Sequence, residues 1–105
     1  MGDIIQISTT TEKITEAEKI ANLLIDSKLA ACVQVNGPAI THYIWKGKKE
    51  RSEEFILFIT TKKELFPEIE KVIKEIHAYE TPEILIIPII GGSKEYLDWI
   101  EKETK

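Results

Sequence analysis

A repeated order of apolar strand, threonine-rich segment and amphipathic helix restricts the fold of this 105-residue chain more than any other feature. The first copy has an apolar run at residues 4–8, then Thr9-Thr10-Thr11 and a helical pattern. About fifty residues later, a second apolar run at residues 55–60 leads through Thr61-Lys62 into a second helical pattern. A strand follows each helix, so the sequence predicts the order βαββαβ. This is an α+β class, with an antiparallel sheet and both helices on one face.

The first half of the chain changes from strand to helix period at Ile14. Apolar residues at helical spacing form one stripe, with lysine and glutamate on the other face: Ile14, Ala17, Ile20, Ala21 and Leu24. Thr15-Glu16-Ala17-Glu18 matches a capping box, which places the predicted helix at about residues 15–28. Two strands are predicted next, at residues 29–35 and 40–46, and Asn36-Gly37-Pro38 bends or interrupts the chain between them.

The second half repeats this plan and adds a helix. Charged residues 47–52 are predicted to form a hairpin tip, and residues 55–60 return as a strand that is apolar on both faces. The second helix is expected over residues 63–78, where Pro67 is tolerated in the first turn. Residues 84–90 form the last strand, in which Pro88 indicates an edge position or a bulge, and Ser93 caps a final helix. We therefore predict one domain, residues 1–105: a ferredoxin-like βαββαβ sandwich with an extended central hairpin and a short C-terminal helix.

The predicted hairpin is longer than the helices that would cover it. A helix of about fourteen residues spans about 21 Å at 1.5 Å per residue, whereas residues 30–46 span about 50 Å at 3.3 Å per residue. The projecting half carries apolar side chains that a monomer rarely exposes: Tyr43, Ile44, Trp45, Phe55 and Ile56. Pairing its edge with another copy would hide these side chains and the unpaired backbone groups, so we expect a closed homo-oligomer.

Net charge limits the kind of binding partner, and cysteine content limits the cellular compartment. The chain has 14 Lys and Arg against 18 Asp and Glu, a net charge of −4, which argues against a basic nucleic-acid footprint. Cys32 is the single cysteine, which excludes an intrachain disulfide, and no signal pattern opens the chain, so a cytoplasmic protein is expected. The longest nearly apolar run, residues 84–90, is too short to cross a bilayer.

An enzymatic function finds little support among the motifs. The sequence contains no recognisable Ser-His-Asp set and no glycine-rich phosphate loop. Arg51, the single arginine, lies in the predicted hairpin tip, where it does not provide an anion clamp. We therefore expect a binding protein rather than an enzyme.

Residues 77–83, His-Ala-Tyr-Glu-Thr-Pro-Glu, carry more polar chemistry than a connection between a helix and a strand requires. Pro82 pushes Thr81 toward extended geometry, so this segment is expected to be a stiff, ordered loop. The loop is the first place in the chain where a site is expected.

Motifs along nearly the whole chain resemble the CutA family of divalent-cation tolerance proteins. They are Leu29-Ala30-Ala31-Cys32-Val33, Tyr43-x-Trp45-x-Gly47, Glu54, Thr61-Lys62, His77-x-Tyr79-Glu80-x-Pro82-Glu83-Ile84 and Tyr96-Leu97-x-Trp99. The resemblance implies a ferredoxin-like homotrimer, shaped like the P-II signalling proteins, whose strands pair between subunits. It also implies a cytosolic role linked to copper and other divalent metals, mammalian relatives tied to acetylcholinesterase anchoring, and no established enzymatic activity. Members often have proline where this chain has Ala78.

Three residues are candidate metal ligands, and each has a structural alternative. Cys32 is a soft ligand for copper or zinc, or a buried small hydrophobe between Ala31 and Val33. His77 binds metal through a ring nitrogen, or it complements the dipole and the last carbonyls at a helix C-terminus. Glu80 is a hard-cation ligand or a solvated charge, and the same holds for Glu83.

A second group of candidates would line a cleft between subunits. Lys62 opposes the dipole of the helix that follows it, a conflict expected more often at working sites, and with the adjacent threonines it could hold a small anion. Tyr79, Trp45 and Trp99 would form apolar walls, or alternatively pack in an interface. Glu54 and Glu83 are the remaining candidates for this cleft. Glu54 is included because it is one of the motifs that resemble the family.

Two functional hypotheses follow. The first is a cytosolic homotrimer that binds divalent metal, Cu²⁺ above all, weakly at clefts between subunits and contributes to metal tolerance. Its ligands would be Cys32, His77 and Glu80. The alternative is a P-II-like signalling or binding module, in which the cleft around Lys62 and Tyr79 holds a small anionic metabolite or a partner peptide.

Overall fold

Four strands and three helices follow one another through residues 3–105, which are the residues that the computed structural model describes. In chain order they are β1 (Ile4–Thr11), α1 (Ile14–Asp26), β2 (Cys32–Trp45), β3 (Lys48–Lys62), α2 (Phe66–Ile76), β4 (Ile84–Pro88) and α3 (Lys94–Glu103). A short 3₁₀ turn, Lys63–Leu65, leads into α2. The predicted α+β class and the order of elements are confirmed.

The four strands form one antiparallel sheet in the order β2-β3-β1-β4. β4 is an edge strand and Pro88 is its last residue, opposite Ile5, so the edge position predicted from this proline is confirmed. The strand ends two residues earlier than predicted, because a proline has no N–H to donate to the ladder.

The core lies between one face of the sheet and the first two helices. Ile7 on β1 and Ile59 on β3 are directly opposite each other, and both are fully buried. They belong to a cluster with Ile20 and Leu24 of α1 and Ile69 of α2. Each fully buried side chain of this size contributes roughly 1.5–3 kcal/mol through apolar burial. These contributions strongly favour burial of this face of the sheet rather than the other.

The helix boundaries differ from the sequence prediction. α1 begins at Ile14 after an N-cap at Lys13, whose backbone N–H donates to Oε1 of Glu16 at 3.4 Å, so the capping box predicted at Thr15 is wrong. The same helix ends at Asp26, and Lys28 adopts a positive φ of 60° that breaks the helical path. α2 ends at Ile76 rather than at residue 78.

The connection between β2 and β3 is much tighter than predicted. The predicted tip at residues 47–52 is wrong, because Lys48 already lies in β3, opposite Trp45. Lys46 and Gly47 alone make the turn, and both have positive φ, 52° and 78°. A two-residue turn of this kind matches the twist of the flanking strands, so both strands continue to the tip.

A bulge divides β2 where the sequence indicated a bend. The strand runs through Asn36-Gly37-Pro38, but its register against β3 shifts between Asn36 and Ala39. Gly37 has φ 144°, and a Cβ at this position would lie 2.9 Å from the carbonyl oxygen of Glu54. The bulge therefore requires glycine, and it sets which β2 residues share a face with Glu54.

The outer half of the hairpin is exposed, as its length predicted. Ile44 is 69% exposed, and Tyr43 and Trp45 are each about two-fifths exposed, in a molecule that measures 44 × 25 × 22 Å. Phe55 and Ile56, which were predicted to project as well, do not: both are partly buried, because β1 extends to Thr11 and pairs with them, and Phe55 packs against the core. In residues 3–105, no helix is long and apolar enough to cross a membrane.

Candidate functional site

A cleft of about 500 Å³ lies where the outer hairpin faces the loop between α2 and β4. Its lining comes from three strands and the loop: Thr10, Thr41, Tyr43, Trp45, Glu54, Ala78, Tyr79, Glu80, Thr81 and Glu83. Four of the predicted cleft residues and one predicted metal ligand are in this set. The loop predicted to carry the site therefore does line a cleft.

The strand wall of the cleft follows from the period of two in β2. Thr41, Tyr43 and Trp45 alternate along the strand, so their side chains point to the same face. Ala39 begins this row and lies directly opposite Glu54 on β3, which puts Glu54 on that face too. The bulge at Gly37 creates this alignment, since it shifts the register by which β2 meets β3.

The loop wall is held in place by His77. This residue is the C-cap of α2 and has extended backbone dihedral angles, φ −67° and ψ 138°, which turn the chain away from the helix. Its Nδ1 accepts a hydrogen bond from the backbone N–H of Tyr79 at 3.0 Å, and its Nε2 donates to the carbonyl oxygen of Thr10. Both ring nitrogens are therefore used to fix the loop against β1.

Tyr79 reaches across the cleft to Glu54. The Tyr79 hydroxyl donates to Oε2 of Glu54 at 3.1 Å, and the Tyr79 ring lies 4.7 Å from the His77 ring. Burial, and then the negative charge of Glu54, raise the pKa of Tyr79 well above its ordinary value. The phenol therefore stays neutral and remains a donor to the carboxylate.

Glu54 is a buried carboxylate with no cationic partner in the described part of the chain. It is 6% exposed, and within residues 3–105 no Lys, Arg or His nitrogen forms an ion pair with it. Its hydrogen bond within the same residues comes from a neutral phenol. A buried charge ordinarily has an opposite charge or a metal beside it, and within residues 3–105 no cation balances the charge of this carboxylate.

Two more carboxylates increase the negative charge of the cleft. The Ser8 hydroxyl donates to Oε2 of Glu83 at 3.2 Å, while Glu80 is exposed at the rim. The lining residues include three glutamates and no lysine, arginine or histidine. The cleft is therefore acidic.

Lys62 does not line this cleft within one chain, and its place in a cleft between subunits stays a prediction. Its side chain is 12% exposed, and its Nζ donates to the carbonyl oxygen of Thr104 at 3.4 Å and lies 3.9 Å from Oε1 of Glu101. Lys62 thus holds α3 against the end of β3. Without this cation, the acidic cleft does not favour an anionic ligand. Trp99 is likewise outside the lining; it stacks on Tyr96 of α3, with ring centroids 5.6 Å apart.

The three predicted metal ligands are not brought together within one chain. Cys32 is a free, partly buried thiol opposite Thr60, six residues along β3 from Glu54, or about 20 Å at 3.3 Å per residue. Glu80 lines the cleft, whereas His77 holds the loop behind it. Across residues 3–105, no three His, Cys, Asp or Glu side chains are arranged to hold a metal ion.

Some residues of the cleft were not predicted from the sequence. Thr10, Thr41 and Tyr43 line it, but Thr10 was predicted only as part of the threonine segment that ends the first strand, and Tyr43 as part of an apolar strand face that projects from the helical layer. The alternation of Thr41, Tyr43 and Trp45 was the available signal for the β2 wall. The Tyr79–Glu54 hydrogen bond had no such signal, because the two residues are 25 positions apart.

Comparisons with known proteins agree with this fold. The model of the family described as CutA1 divalent ion tolerance protein matches residues 5–103. The divalent-cation tolerance protein CutA of Archaeoglobus fulgidus is 43% identical over 99 residues, 94% of this chain and 96% of that protein. The crystal structure of CutA1 from Oryza sativa has a TM-score of 0.95 at 31% identity, covering 99% of this chain and 95% of that chain. The structure of the divalent cation tolerance protein from Thermus thermophilus has a TM-score of 0.94 at 32% identity, covering 97% of this chain and 99% of that chain. The chain belongs to the CutA1 family of divalent ion tolerance proteins.

Proposed function

We propose that this protein is a non-enzymatic homotrimer that takes up divalent cations weakly at the acidic cleft and thereby contributes to divalent-cation tolerance. The observation that carries the proposal is the Glu54 carboxylate, which is 6% exposed and lacks an ion-pair partner within residues 3–105. A divalent cation would supply the missing positive charge. Related proteins that are named for divalent-cation tolerance support the same assignment.

One chain supplies too few ligands for a divalent cation, and a cleft shared between two copies of the chain would explain this. Divalent cations such as Ca²⁺ take six to eight oxygen ligands and Mg²⁺ takes six, more than Glu54, Glu80 and Glu83 provide when each carboxylate binds through one oxygen. Tyr43 and Trp45 lie on the face of β2 that lines the cleft and are each about two-fifths exposed, so they supply a surface through which a second copy can approach the same region. A neighbouring copy and water would then complete the coordination.

The ligands that copper prefers differ from the carboxylates that line the cleft. Imidazole and thiolate suit copper better than carboxylate does, and this chain offers His77 and Cys32. His77 can bind copper only if the ion displaces Thr10 or the Tyr79 N–H from a ring nitrogen. Cys32 lies far from the cleft along β3, so a copper site that uses both residues would need two copies of the chain.

Titration of the purified protein with Mn²⁺ and with Cu²⁺ by calorimetry tests the proposal. Glu54→Gln keeps an acceptor for the Tyr79 hydroxyl but removes the charge, and we expect it to weaken Mn²⁺ binding at least tenfold, or about 1.4 kcal/mol. Glu53→Gln is the matched control, because Glu53 is the exposed neighbour on the opposite face of β3. Its affinity should equal that of the wild type.

The same titrations identify the copper ligands. Cys32→Ser and His77→Ala should each lower the affinity for Cu²⁺ if the thiol and the imidazole are ligands, and unchanged stoichiometry and affinity in both would remove these two residues from the proposed set. Equal Mn²⁺ binding by the wild type and Glu54→Gln would reject the cleft as the cation site.

We also propose a cytoplasmic location, supported by the single, unpaired cysteine, which suits a reducing compartment. The CutA of Archaeoglobus fulgidus, 40% identical in the structural alignment, is described as periplasmic. Cell fractionation of the native host with an antibody against this protein distinguishes the two compartments.

A further inference from the structure

The cleft has aromatic walls that a metal ion does not need. Tyr43 and Trp45 stand on the hairpin side, Tyr79 stands on the loop side, and the buried Glu54 lies between them. We propose that the cleft also binds an organic ammonium group, either a primary alkylamine or its methylated form. Glu54 would hold its charge, and the aromatic rings would enclose it. This goes beyond the proposed metal function, because it names a second class of cation, which the same cleft would recognise through Glu54 together with its aromatic rings.

Glu54 provides the charge and a free acceptor. Its Oε2 accepts from the Tyr79 hydroxyl at 3.1 Å, and within residues 3–105 no hydrogen bond reaches Oε1. An ammonium N–H donates well to such a carboxylate, and the bond is stronger where water is excluded. The neutral Tyr79 phenol keeps Oε2 occupied, which directs the ligand to Oε1.

The aromatic rings provide the second half of the recognition. Cations are attracted to the faces of tryptophan and tyrosine within about 6 Å of the ring centroid, and sites for methylated ammonium groups are built from several such rings. Within one chain, Trp45 and Tyr43 are 42% and 41% exposed, so parts of their rings can contact either a free ligand or a side chain of a neighbouring copy. Lys46, which is not in the lining, already places its Nζ 5.8 Å from the Trp45 centroid. This distance lies within the range of a cation–π contact.

The size and the ligand count of the cleft also suit an organic cation. Its volume of about 500 Å³ is in the range of small-molecule sites and far exceeds the space that one metal ion fills. No three metal-binding side chains converge in residues 3–105, whereas an ammonium requires one carboxylate and ring faces. Thr10 and Thr41 offer hydroxyls for any further polar atom of the ligand.

The ammonium can come from a free amine or from a lysine side chain of a second copy of this chain. Both present the same chemistry to Glu54 and Trp45. A free amine should saturate the cleft without changing the mass of the assembly. A lysine of a neighbouring copy should instead be displaced by the amine, so the assembly should dissociate as the amine is added.

The experiment uses n-butylammonium and tetramethylammonium as probes and n-butanol as the uncharged control. Trp99→Leu leaves Trp45 as the single tryptophan, so its fluorescence reports on the cleft, while sedimentation follows the assembly. We expect saturable changes with the two ammonium ions, none with n-butanol, and at least tenfold weaker binding in Glu54→Gln. Calorimetry with Trp45→Leu should show tenfold weaker amine binding than the wild type.

The proposal would be overturned if n-butanol bound as tightly as n-butylammonium, or if Trp45→Leu bound the amines as the wild type does. Absence of both a fluorescence change and dissociation would also reject it. The Mn²⁺ measurements separate this proposal from the proposed function. If the protein binds the amines but not Mn²⁺, the metal site is rejected and the ammonium site stands. If it binds Mn²⁺ but not the amines, the ammonium site is rejected and the metal site stands.

Discussion

The Glu54–Tyr79 pair is the pair of residues on which the cleft depends. The sequence indicated both residues as cleft candidates, but it gave no indication that one would donate to the other. This contact across 25 residues depends on the position of Glu54 in β3 and on the loop that His77 holds in place. Local patterns of period 2 or 3.6 describe single elements, so they do not predict how two elements meet.

The raised pKa of Tyr79 predicts that its phenol ionises at a higher pH than free tyrosine, and that Tyr79→Phe removes this late ionisation. Because the folded protein keeps this phenol protonated above its ordinary pKa near 10, the pair stabilises the fold fully below about pH 10. That stability is lost as the pH rises toward the higher pKa in the folded protein. The phenolate absorbance of the wild type should contain one tyrosine that ionises later than free tyrosine, and Tyr79→Phe should lack this component. An unchanged titration curve in Tyr79→Phe would contradict the assignment.

Among the elements, the hairpin of β2 and β3 departs most from its prediction. The charged residues after Gly47 suggested a long tip, yet they lie in β3 because an exposed strand tolerates charge on both faces. The positive φ of Lys46 and Gly47 closes the turn in two residues. Helix positions were predicted more closely, since amphipathic periodicity is a stronger signal than turn length.

Gly37 is predicted to control both stability and the cleft. Alanine there would combine an unfavourable φ of 144° with a Cβ only 2.9 Å from the carbonyl oxygen of Glu54, so Gly37→Ala should lower the free energy of unfolding by about 1–3 kcal/mol. Because the overlap falls on Glu54 itself, Mn²⁺ binding should weaken as well. Urea denaturation and calorimetry measure the two effects.

Gly91→Ala provides the control for this prediction. A Cβ added at Gly91 would meet no atom within 4 Å, and this residue has no positive φ, so its substitution should change stability by no more than about 0.5 kcal/mol. Equal stability of Gly37→Ala and Gly91→Ala would show that the bulge does not need glycine.

At the scale of the molecule, the order of elements and the face that is buried could be predicted from the sequence. The two strand–helix–strand repeats determine the sheet order, because each helix must pack its apolar stripe on the same face. The hairpin was also predicted to outrun its helical cover, and Ile40, Tyr43, Ile44 and Trp45 are indeed exposed. The number of copies that cover this surface is the prediction on which the shared cleft depends.

Sedimentation equilibrium of the purified protein at micromolar concentration tests this central claim most directly. The proposed homotrimer predicts a single species of about three times the 12.0 kDa chain mass. It also predicts that Ile44→Glu, which places a charge on the exposed hairpin, lowers this mass, because an uncompensated charge in an apolar interface is strongly unfavourable. A wild-type protein that sediments at 12.0 kDa would contradict the account, since a lone chain could not complete the cleft.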